Sequence, residues 1–311
     1  MEKDAKIYVS GHRGMVGSAV VRALEKAGFS NLLLRTRAET DLLKQAEVES
    51  LFKEERPKYV IHCAAHAGGI GASTAHPTEF LYENLEIQNN VIWQAHLAGV
   101  KKLLFLSSSC VYPRESPQPM KEEYLLTGRL EPTNEGYAVA KIAGMKLCET
   151  IYTQYDETFI SCMPTNIYGE NDTFDPARSH VVGGLIKNMH DAKTKGLPDV
   201  SLWGTGRARR ELLYVDDLAD ACLFLMEHYN GKDFLNVGTG KDISIFDLAH
   251  EIQKVVGYEG KLIFDTSKPD GMPQKLLDVS KLAAAGWTHT TELSEGLAKT
   301  YRHFLEKHPG A

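Results

Sequence analysis

Two residues that can move a proton lie four positions apart in the segment Tyr137-Ala-Val-Ala-Lys141. On a helix this spacing places both side chains on one face, one turn apart. A tyrosine hydroxyl can donate a proton to a carbonyl oxygen, and a nearby ammonium group favours the phenolate that remains. The pair therefore indicates chemistry on a carbonyl group, provided that other elements bring a substrate and a cofactor to it.

A second set of reactive side chains, Ser107-Ser-Ser-Cys110, follows the segment Lys102–Leu106, which is predicted to be a strand. Ligands of open α/β sheets bind beyond the carboxyl ends of the strands. Ser108 and Cys110 are therefore expected to face the ligand crevice. Ser107 and Ser109, taken alone, suit a loop that caps the strand.

A glycine-rich turn, Gly11-His-Arg-Gly14-Met-Val-Gly17, separates the short β-type run Lys6–Ser10 from a helix predicted over 18–27. In this context the glycines let the backbone approach a pyrophosphate, and the helix N-terminus offers free N–H groups. The arrangement predicts a dinucleotide site with the spacing Gly-x-x-Gly-x-x-Gly.

The next predicted strand, Leu32–Leu34, is followed by Arg35-Thr36-Arg37 and not by an acidic residue. An acid at this place accepts from the adenosine ribose 2′-OH of NAD, whereas a basic residue suits the 2′-phosphate of NADP. Arg13 in the glycine turn can join Arg37 on that phosphate. We therefore expect NADPH/NADP⁺ as the cofactor.

Strands and helices then alternate, with helices predicted over 78–97 and 136–155 and a strand over 159–163. This order predicts an α/β fold with a doubly wound parallel sheet of the Rossmann type, which places the NADP-binding domain at residues 1–169.

After residue 169 the predicted elements are shorter. They include a helix over 181–195, a basic loop over 204–211 that contains Arg210, and a helix that begins with the capping residues Ser244 and Asp247. We expect a smaller C-terminal α/β substrate-binding lobe at 170–311. Some of its segments, at about 212–245, can return to the first domain.

The composition is that of an ordinary globular protein of 311 residues with a net charge of −6. No global basic field invites nucleic acid, no apolar run has transmembrane length, and no signal-peptide pattern opens the chain. The five cysteines are scattered, which argues against a metal site or a disulfide framework and fits a reducing cytoplasm. We expect a cytoplasmic protein without a nucleic-acid or membrane partner.

These motifs together resemble those of the extended short-chain dehydrogenase/reductase family, in its nucleotide-sugar branch. The glycine turn, Ser108 and the Tyr137–Lys141 pair carry the resemblance, which extends over nearly the whole chain. Longer matching segments are Ser108-Ser-Cys-Val-Tyr-Pro113, Glu131-Pro-Thr-Asn-Glu135, Tyr137-Ala-Val-Ala-Lys-Ile-Ala-Gly144, Met163-Pro-Thr-Asn166, Val215-Asp-Asp217 and Lys268-Pro-Asp-Gly271.

The resemblance implies an enzyme that uses NADPH for 3,5-epimerisation and 4-reduction of GDP-4-keto-6-deoxy-D-mannose to GDP-L-fucose. It implies a reductase triad of Ser108, Tyr137 and Lys141. It also implies that Cys110 and His180 form the acid/base pair of epimerisation, although spacing alone would equally allow His180 to be a surface residue at a helix start. The division of base and acid roles between these two residues stays open.

The resemblance further implies two sets of binding residues and a homodimer formed through a four-helix interface of the helices 78–97 and 136–155. The implied cofactor contacts are Gly11, His12, Arg13, Gly14, Met15, Val16, Gly17, Arg37, Asp41, Leu42, Ala64, Ala65, Leu106, Ser107, Ser108, Ser109, Tyr137, Lys141, Pro164, Thr165, Asn166, Ile167 and His180. The implied substrate contacts are Asn166, Lys187, Asn188, Trp203, Arg210 and Asp270.

Two alternatives remain. The first is another nucleotide-sugar enzyme of the same fold, a 4-epimerase or a 4,6-dehydratase. The 4-epimerases hold NAD, which Arg37 disfavours, and the dehydratases carry Thr-Asp-Glu where this chain has Ser108-Ser-Cys110. The second is a non-catalytic NADP-sensing protein, a class that commonly loses the Tyr–Lys pair retained here.

Overall fold

The structure is a computed structural model that describes residues 1–175, 178–268 and 270–308. Pro269, in the motif Lys268-Pro-Asp-Gly271, lies outside the described residues, as do positions 309–311 of the predicted lobe. The strands are β1 (Ile7–Ser10), β2 (Leu32–Leu33), β3 (Tyr59–His62), β4 (Lys102–Leu106), β5 (Thr158–Pro164), β6 (Asn166–Tyr168), β7 (Asp199–Trp203), β8 (Arg209–Tyr214), β9 (Leu235–Val237), β10 (Asp242–Ser244), β11 (Lys261–Asp265) and β12 (Gln274–Lys275). The α-helices are α1 (Met15–Lys26), α2 (Gln45–Glu55), α3 (Ile70–Ala75), α4 (Pro77–Leu97), α5 (Glu135–Tyr155), α6 (Val181–Thr194), α7 (Val215–His228), α8 (Ile245–Val256), α9 (Ser280–Ala284) and α10 (Leu293–Lys307).

A six-stranded sheet in the order β2-β1-β3-β4-β5-β9 has every neighbouring pair parallel. Strands β1, β3 and β4 are buried at every position, as parallel strands covered by helices on both faces must be. This sheet confirms the predicted α/β, Rossmann-like fold. Because β2 lies on one side of β1 and β3 on the other, the strand order reverses at β1, which is where such folds bind ligands.

A buried hydrogen bond joins the two strand ends at this reversal. The hydroxyl of Ser10 lies 2.6 Å from His62 Nδ1 and accepts a bond from the amide of Ala64 at 3.3 Å. Burial, with a contribution from Lys141, lowers the pKa of His62 to about 3, so the imidazole is neutral and serves as a structural group.

Helix α5 is held close to the sheet, which positions the residues that it carries. A β carbon built on Gly144 would lie 2.6 Å from the ring of Phe105, so only glycine allows this approach. On the neighbouring α4, Gln88 donates to the backbone carbonyl of Ala140 at 2.5 Å. The helix that bears Tyr137 and Lys141 is therefore fixed against both β4 and α4.

A second group of strands is built around β8, which pairs with β6, β10 and β12, and a separate parallel pair is formed by β7 and β11. The predicted basic loop 204–211 is wrong at its end, because Arg209, Arg210 and Glu211 begin β8. The buried Glu211 carboxylate accepts from three backbone amides, those of Thr239 at 2.7 Å, Gly240 at 2.7 Å and Leu277 at 2.8 Å. These bonds stabilise a strand start that reads as polar in sequence.

One further local expectation can be compared with the structure. The predicted capping residue Ser244 does cap α8, since its hydroxyl accepts from the amide of Asp247 at 3.0 Å. Within the described ranges, no helix combines the length and apolar character needed to cross a membrane.

Strand β9 is fixed by one buried side chain, Asn236. Its amide nitrogen donates to the carbonyls of Met120 at 2.9 Å and Asp278 at 3.0 Å, and its oxygen accepts from the Tyr112 hydroxyl at 2.6 Å. Asn236 thereby ties the outermost strand of the main sheet to the loop after β4 and to the segment after β12.

Candidate active site

The glycine turn between β1 and α1 has the backbone geometry that a phosphate needs. Gly11 has a φ of +71°, and a β carbon on Gly17 would lie 2.2 Å from the carbonyl oxygen of Gly11. The helix starts at Met15, earlier than predicted, and no side chain of the described residues caps it at Gly14. Nδ1 of His12 is buried without a hydrogen-bond partner in the part of the chain that the structure describes. Free amides at a helix N-terminus fit a bound pyrophosphate.

Two of the three arginines near the predicted adenosine end are open to solvent. Arg13 and Arg37 are exposed, and Arg37 Nε lies 3.6 Å from a carboxylate oxygen of Asp41. Arg35, by contrast, is held by Glu55 at 2.5 Å. Arg13 and Arg37 therefore remain available for a bound anion, whereas Arg35 already has a structural partner.

The Tyr137–Lys141 pair lies on the first turns of α5, against the carboxyl end of β4. Lys141 is 3% exposed, and its Nζ donates to the carbonyl of Leu106 at 2.9 Å. Burial lowers the pKa of Lys141 to about 8. Burial and the neighbouring Cys110 raise the pKa of Tyr137, although the hydroxyl of Ser108 lowers it. The phenol of Tyr137 is therefore less acidic here than that of an ordinary tyrosine, chiefly because it is desolvated.

The serine-rich strand end has two buried and two partly open side chains. Ser107 and Ser109 are buried, whereas Ser108 and Cys110 are half-buried. The hydroxyl of Ser108 accepts from the amide of Cys110 at 3.4 Å and begins a short 3₁₀ turn over Ser109–Val111. The turn thus leaves Ser108 and Cys110 more accessible than Ser107 and Ser109.

Sequence reasoning missed one residue of this site, Lys275. Its Nζ donates to Sγ of Cys110 at 3.4 Å. Burial raises the pKa of Cys110, but Lys275, Ser108 and Arg210 together lower it by more, so the net shift is downward. The only signal in the sequence was a lysine shortly after the motif Lys268–Gly271, which no local pattern links to Cys110.

His180 is the N-cap residue of α6 and is exposed at the cleft. Protein atoms nevertheless surround its ring closely enough that desolvation lowers its pKa, and the charge of Lys275 lowers it further. Lys275 therefore acts on both residues of the predicted epimerisation pair. The ammonium group of Lys275 bonds to Cys110, and its charge also acts on His180.

The predicted nucleotide contacts lie on three different segments: Trp203 ends β7, Arg210 is on β8, and Asp270 precedes β12. Trp203 is 66% exposed, with Nζ of Lys268 5.7 Å from its ring centroid. Both carboxylate oxygens of Asp270 accept from Thr205, from its amide at 2.7 Å and from its hydroxyl at 2.8 Å. An open aromatic face with nearby cations suits a nucleobase and a phosphate.

Of the remaining predicted substrate contacts, Lys187 and Asn166 already have protein partners and Asn188 is exposed. Lys187 pairs with Asp191 at 2.6 Å, and its neighbour Asn188 is exposed. The amide nitrogen of Asn166 donates to the carbonyl of Glu211 at 2.9 Å.

The other predicted cofactor residues follow the main strands at their carboxyl ends or lie near them. They are Asp41 and Leu42 in the segment before α2, Ala64 and Ala65 after β3, and Pro164, Thr165 and Ile167 at the end of β5 and in β6, while Met15 and Val16 form the first turn of α1.

Comparisons with known proteins agree with one another on the family of this chain. The sequence signature of the NAD dependent epimerase/dehydratase family matches residues 7–238. GDP-L-fucose synthase 1 of Arabidopsis thaliana is 54% identical over 305 residues, which are 98% of this chain and 94% of that protein. GDP-L-fucose synthase of Escherichia coli (strain K12) is 49% identical and is covered to 97%, as is this chain.

Solved structures that superpose on this chain indicate the same family. A GDP-6-OMe-4-keto-L-xylo-heptose reductase from C. jejuni superposes with a TM-score of 0.95 at 37% identity, covering 99% of both chains. A GDP-L-fucose synthetase from Naegleria fowleri bound to NADP superposes with a TM-score of 0.90 at 28% identity, covering 100% of this chain and 97% of that one. The predicted resemblance to enzymes of nucleotide sugars is thereby confirmed. The chain is a member of the NAD dependent epimerase/dehydratase family.

Proposed function

We propose that this protein converts GDP-4-keto-6-deoxy-D-mannose to GDP-L-fucose by 3,5-epimerisation and NADPH-dependent 4-reduction. The observation that carries the proposal is the position of Cys110, whose thiol lies at the same strand end as Ser108 and 3.4 Å from Lys275. The relatives at 54% and 49% identity that are named for GDP-L-fucose synthesis support the choice of substrate.

A 4-keto sugar needs only one polarising site for all three steps. Its C3 and C5 protons are acidic because either carbanion delocalises onto the C4 oxygen. Ser108 and Tyr137 would hydrogen-bond that oxygen, first as an enolate during epimerisation and then as an alkoxide during reduction. Tyr137 would also deliver the proton that completes the 4-hydroxyl group, and its raised pKa keeps that proton on the phenol until charge develops on the sugar.

Epimerisation needs a second pair of groups that can reach the two faces of the sugar ring. A thiol and an imidazole can both exchange protons near neutral pH when their surroundings shift them suitably. Cys110 and His180 would fill these roles, because both face the cleft and both have a lowered pKa.

The glycine turn, the open N-terminus of α1 and the exposed pair Arg13 and Arg37 fit NADPH. When bound, NADPH supplies the hydride that reduces C4. Lys141 would hold the nicotinamide ribose, and the carbonyl of Leu106 fixes its ammonium group for that contact. Arg13 and Arg37 would hold the 2′-phosphate as charged donors.

We also propose which part of the chain binds the cofactor and which part binds the substrate. Residues 1–169 would hold NADPH and residues 170–311 the GDP part of the substrate, through Trp203, Arg210 and Asp270. Strand β9 in the main sheet supports the expectation that residues from about 212 to 245 partly return to the first domain.

We propose a homodimer formed through α4 and α5, located in the cytoplasm. Large apolar side chains that project from these two adjacent helices support the dimer, namely Tyr82 (59% exposed), Trp93 (41%), Leu97 (61%), Val139 (42%) and Tyr155 (45%). Five free thiols support a reducing compartment, which cell fractionation with a specific antibody would test.

The direct test is incubation of the purified protein with GDP-4-keto-6-deoxy-D-mannose and NADPH, with identification of the product by NMR. We expect NADPH oxidation and GDP-L-fucose. Absence of NADPH consumption with this substrate rejects the proposal.

A 4-reductase without epimerase activity is the second candidate, which the superposition on the C. jejuni heptose reductase favours. The same reaction in D₂O separates the two. Deuterium at C3 and C5 of the product supports the bifunctional enzyme, and its absence supports the reductase.

A further inference from the structure

We propose that Lys275 is a positioning residue of the epimerisation, whose ammonium group adjusts the protonation of Cys110 and His180 together. The inference rests on the proposed function for the roles of these two residues. Its first test, however, needs no substrate.

The backbone places Lys275 next to another cation. Strand β12 runs parallel to β8, and Lys275 is the register partner of Arg210. Nζ of Lys275 then reaches Sγ of Cys110 at 3.4 Å, although the two residues are 165 positions apart in the chain. Arg210 also acts electrostatically on Cys110. The thiol therefore faces two positive groups from adjacent strands.

Lys275 is not a freely moving surface lysine, because the residues that follow it are anchored. The amide of Leu276 donates to the side chain of Gln118 at 2.9 Å, and its carbonyl accepts from the amide of Met120 at 2.7 Å. The amide of Leu277 donates to the buried Glu211 at 2.8 Å. These bonds determine where the strand β12 ends and thus where the ammonium group lies.

The positive charges around the cleft lower the pKa of both Cys110 and His180. Nζ of Lys275 lies 3.4 Å from Sγ of Cys110. Arg210 and Tyr137 also interact electrostatically with Cys110, and the charge of Lys275 acts on His180. The acid that acts on Arg210 is Asp270, whose carboxylate already accepts two bonds from Thr205. A positive charge favours the thiolate of a cysteine and the neutral form of a histidine, so Lys275 lowers the pKa of each.

A rival interpretation is that Lys275 only binds the diphosphate of the substrate. Loss of Lys275 would then raise KM for the GDP-sugar and leave the thiol unchanged. The two interpretations therefore differ in the free protein.

The first experiment measures alkylation of Cys110 by iodoacetamide against pH in the full-length protein, with quantification of the Cys110 peptide by mass spectrometry. In the unaltered protein we expect the alkylation pKa below about 8.5, the value of an ordinary cysteine. In Lys275→Met we expect it to rise by about one pH unit, so that alkylation at neutral pH falls about tenfold. Lys275→Arg should retain the low value.

Lys261→Met is the matched control, since Lys261 is an exposed lysine on β11 and its loss removes the same charge elsewhere. An unchanged Cys110 profile in folded Lys275→Met overturns the proposal. An alkylation pKa above about 8.5 in the unaltered protein overturns it too, whether or not the variant folds.

The second experiment follows deuterium exchange at C3 and C5 of the substrate against pH. Lys275→Met should shift both limbs of the profile to higher pH, because both partners become weaker acids. A rise in KM alone, with an unmoved profile, overturns the proposal. If the unaltered protein shows no exchange while the thiol shift is present, the proposed function fails and the electrostatic role of Lys275 stands.

Discussion

Gly69 packs directly against Ser179, and this contact supports the backbone immediately before His180. A β carbon on Gly69 would lie 2.5 Å from the carbonyl oxygen of Ser179. The amide of Gly69 also donates to the carbonyl of Arg178 at 3.1 Å. Because the φ of Gly69 is −69°, the requirement for glycine comes from this close approach alone. The loop after β3 thus positions a residue of the opposite side of the cleft.

Gly69→Ala should therefore displace His180 without straining its own backbone. We expect deuterium exchange at C3 and C5 to fall by roughly tenfold to a hundredfold, as small misplacements of catalytic groups do, with NADPH affinity retained. The control is Gly68→Ala, whose added methyl meets the side chains of Ala72 at 3.1 Å and Phe80 at 3.3 Å and reaches a backbone carbonyl oxygen, that of Arg178, only at an ordinary contact distance of 3.8 Å. An equal loss in both variants would show that the contact with Ser179 is not the cause.

Replacement of Arg37 should change the choice of cofactor. Arg37→Ser removes a charged donor from the proposed 2′-phosphate site, so we expect KM for NADPH to rise by about tenfold to a hundredfold while KM for NADH changes little. Arg35→Ser is the matched control, because Arg35 pairs with Glu55 and should affect stability without affecting selectivity. Equal use of NADPH and NADH by the unaltered protein would contradict the assignment of Arg13 and Arg37.

Substitutions of Tyr137, Cys110 and His180 should distinguish the reduction at C4 from the epimerisation at C3 and C5. Tyr137→Phe leaves the C4 oxygen without its proton donor, so we expect both hydride transfer and exchange at C3 and C5 to fall by about a hundredfold or more. Cys110→Ser and His180→Gln should abolish exchange and leave NADPH binding intact. The measurements are NADPH oxidation, NMR of exchange, and fluorescence titration of NADPH. Normal exchange in both Cys110→Ser and His180→Gln would remove these residues from the mechanism.

Lys102 is a buried lysine with a structural role. Its Nζ donates to the carbonyls of Leu225 at 2.9 Å and Tyr229 at 2.6 Å and to the side chain of Asn230 at 3.0 Å, at the C-terminus of α7. Lys102→Met leaves these acceptors without a donor, and we expect the free energy of unfolding to fall by about 2–4 kcal/mol.

The pH dependence of this effect has a definite sign. Burial lowers the pKa of Lys102 from 10.5 to about 8. Between these two values the unfolded chain holds a proton that the folded chain has released, so folding stability increases with pH. The free energy of unfolding of the unaltered protein, measured with urea, should therefore rise across this range relative to Lys102→Met. A constant difference between the two proteins would show that the ammonium group keeps its ordinary pKa.

The proposed dimer interface can be broken with one charge. Leu97→Lys places an ammonium group among the exposed apolar side chains of α4 and α5, and we expect a shift from dimer to monomer in light scattering after size exclusion. Leu305→Lys alters a comparably exposed leucine on α10 and should leave the oligomeric state unchanged. A monomeric unaltered protein at all concentrations would contradict the interface.

The main sheet was predictable because its strands are signalled locally. The segment Lys102–Leu106 was predicted to be a strand, and the structure has β4 at those residues, buried at every position. The Tyr137–Lys141 pair was equally visible, since its spacing matches one helical turn. The sequence pattern within about five residues was sufficient to predict both β4 and the Tyr137–Lys141 pair.

The features that were missed depend on distant partners. Arg210 was placed in a loop because Arg209, Arg210 and Glu211 form a polar run, and the amides that satisfy Glu211 lie 28, 29 and 66 positions away. Lys275 lies on a two-residue strand, and its contact with Cys110 spans 165 positions. No local periodicity carries information over such separations.

The place of β9 in the main sheet has a consequence for how the protein is made. Strand β5 receives its outer neighbour from Leu235–Val237, which pair with Cys162–Pro164. On the ribosome, a growing chain that stops short of Val237 leaves the backbone groups of β5 along a hydrophobic edge without their partner, and such edges promote aggregation. The hydroxyl of Tyr112 and the carbonyl of Met120, which Asn236 satisfies in the complete chain, lack that partner until Asn236 has been added. A fragment that ends at residue 169 is therefore expected to be insoluble, and the nascent chain depends on rapid completion or on a chaperone until its last sheet strand emerges.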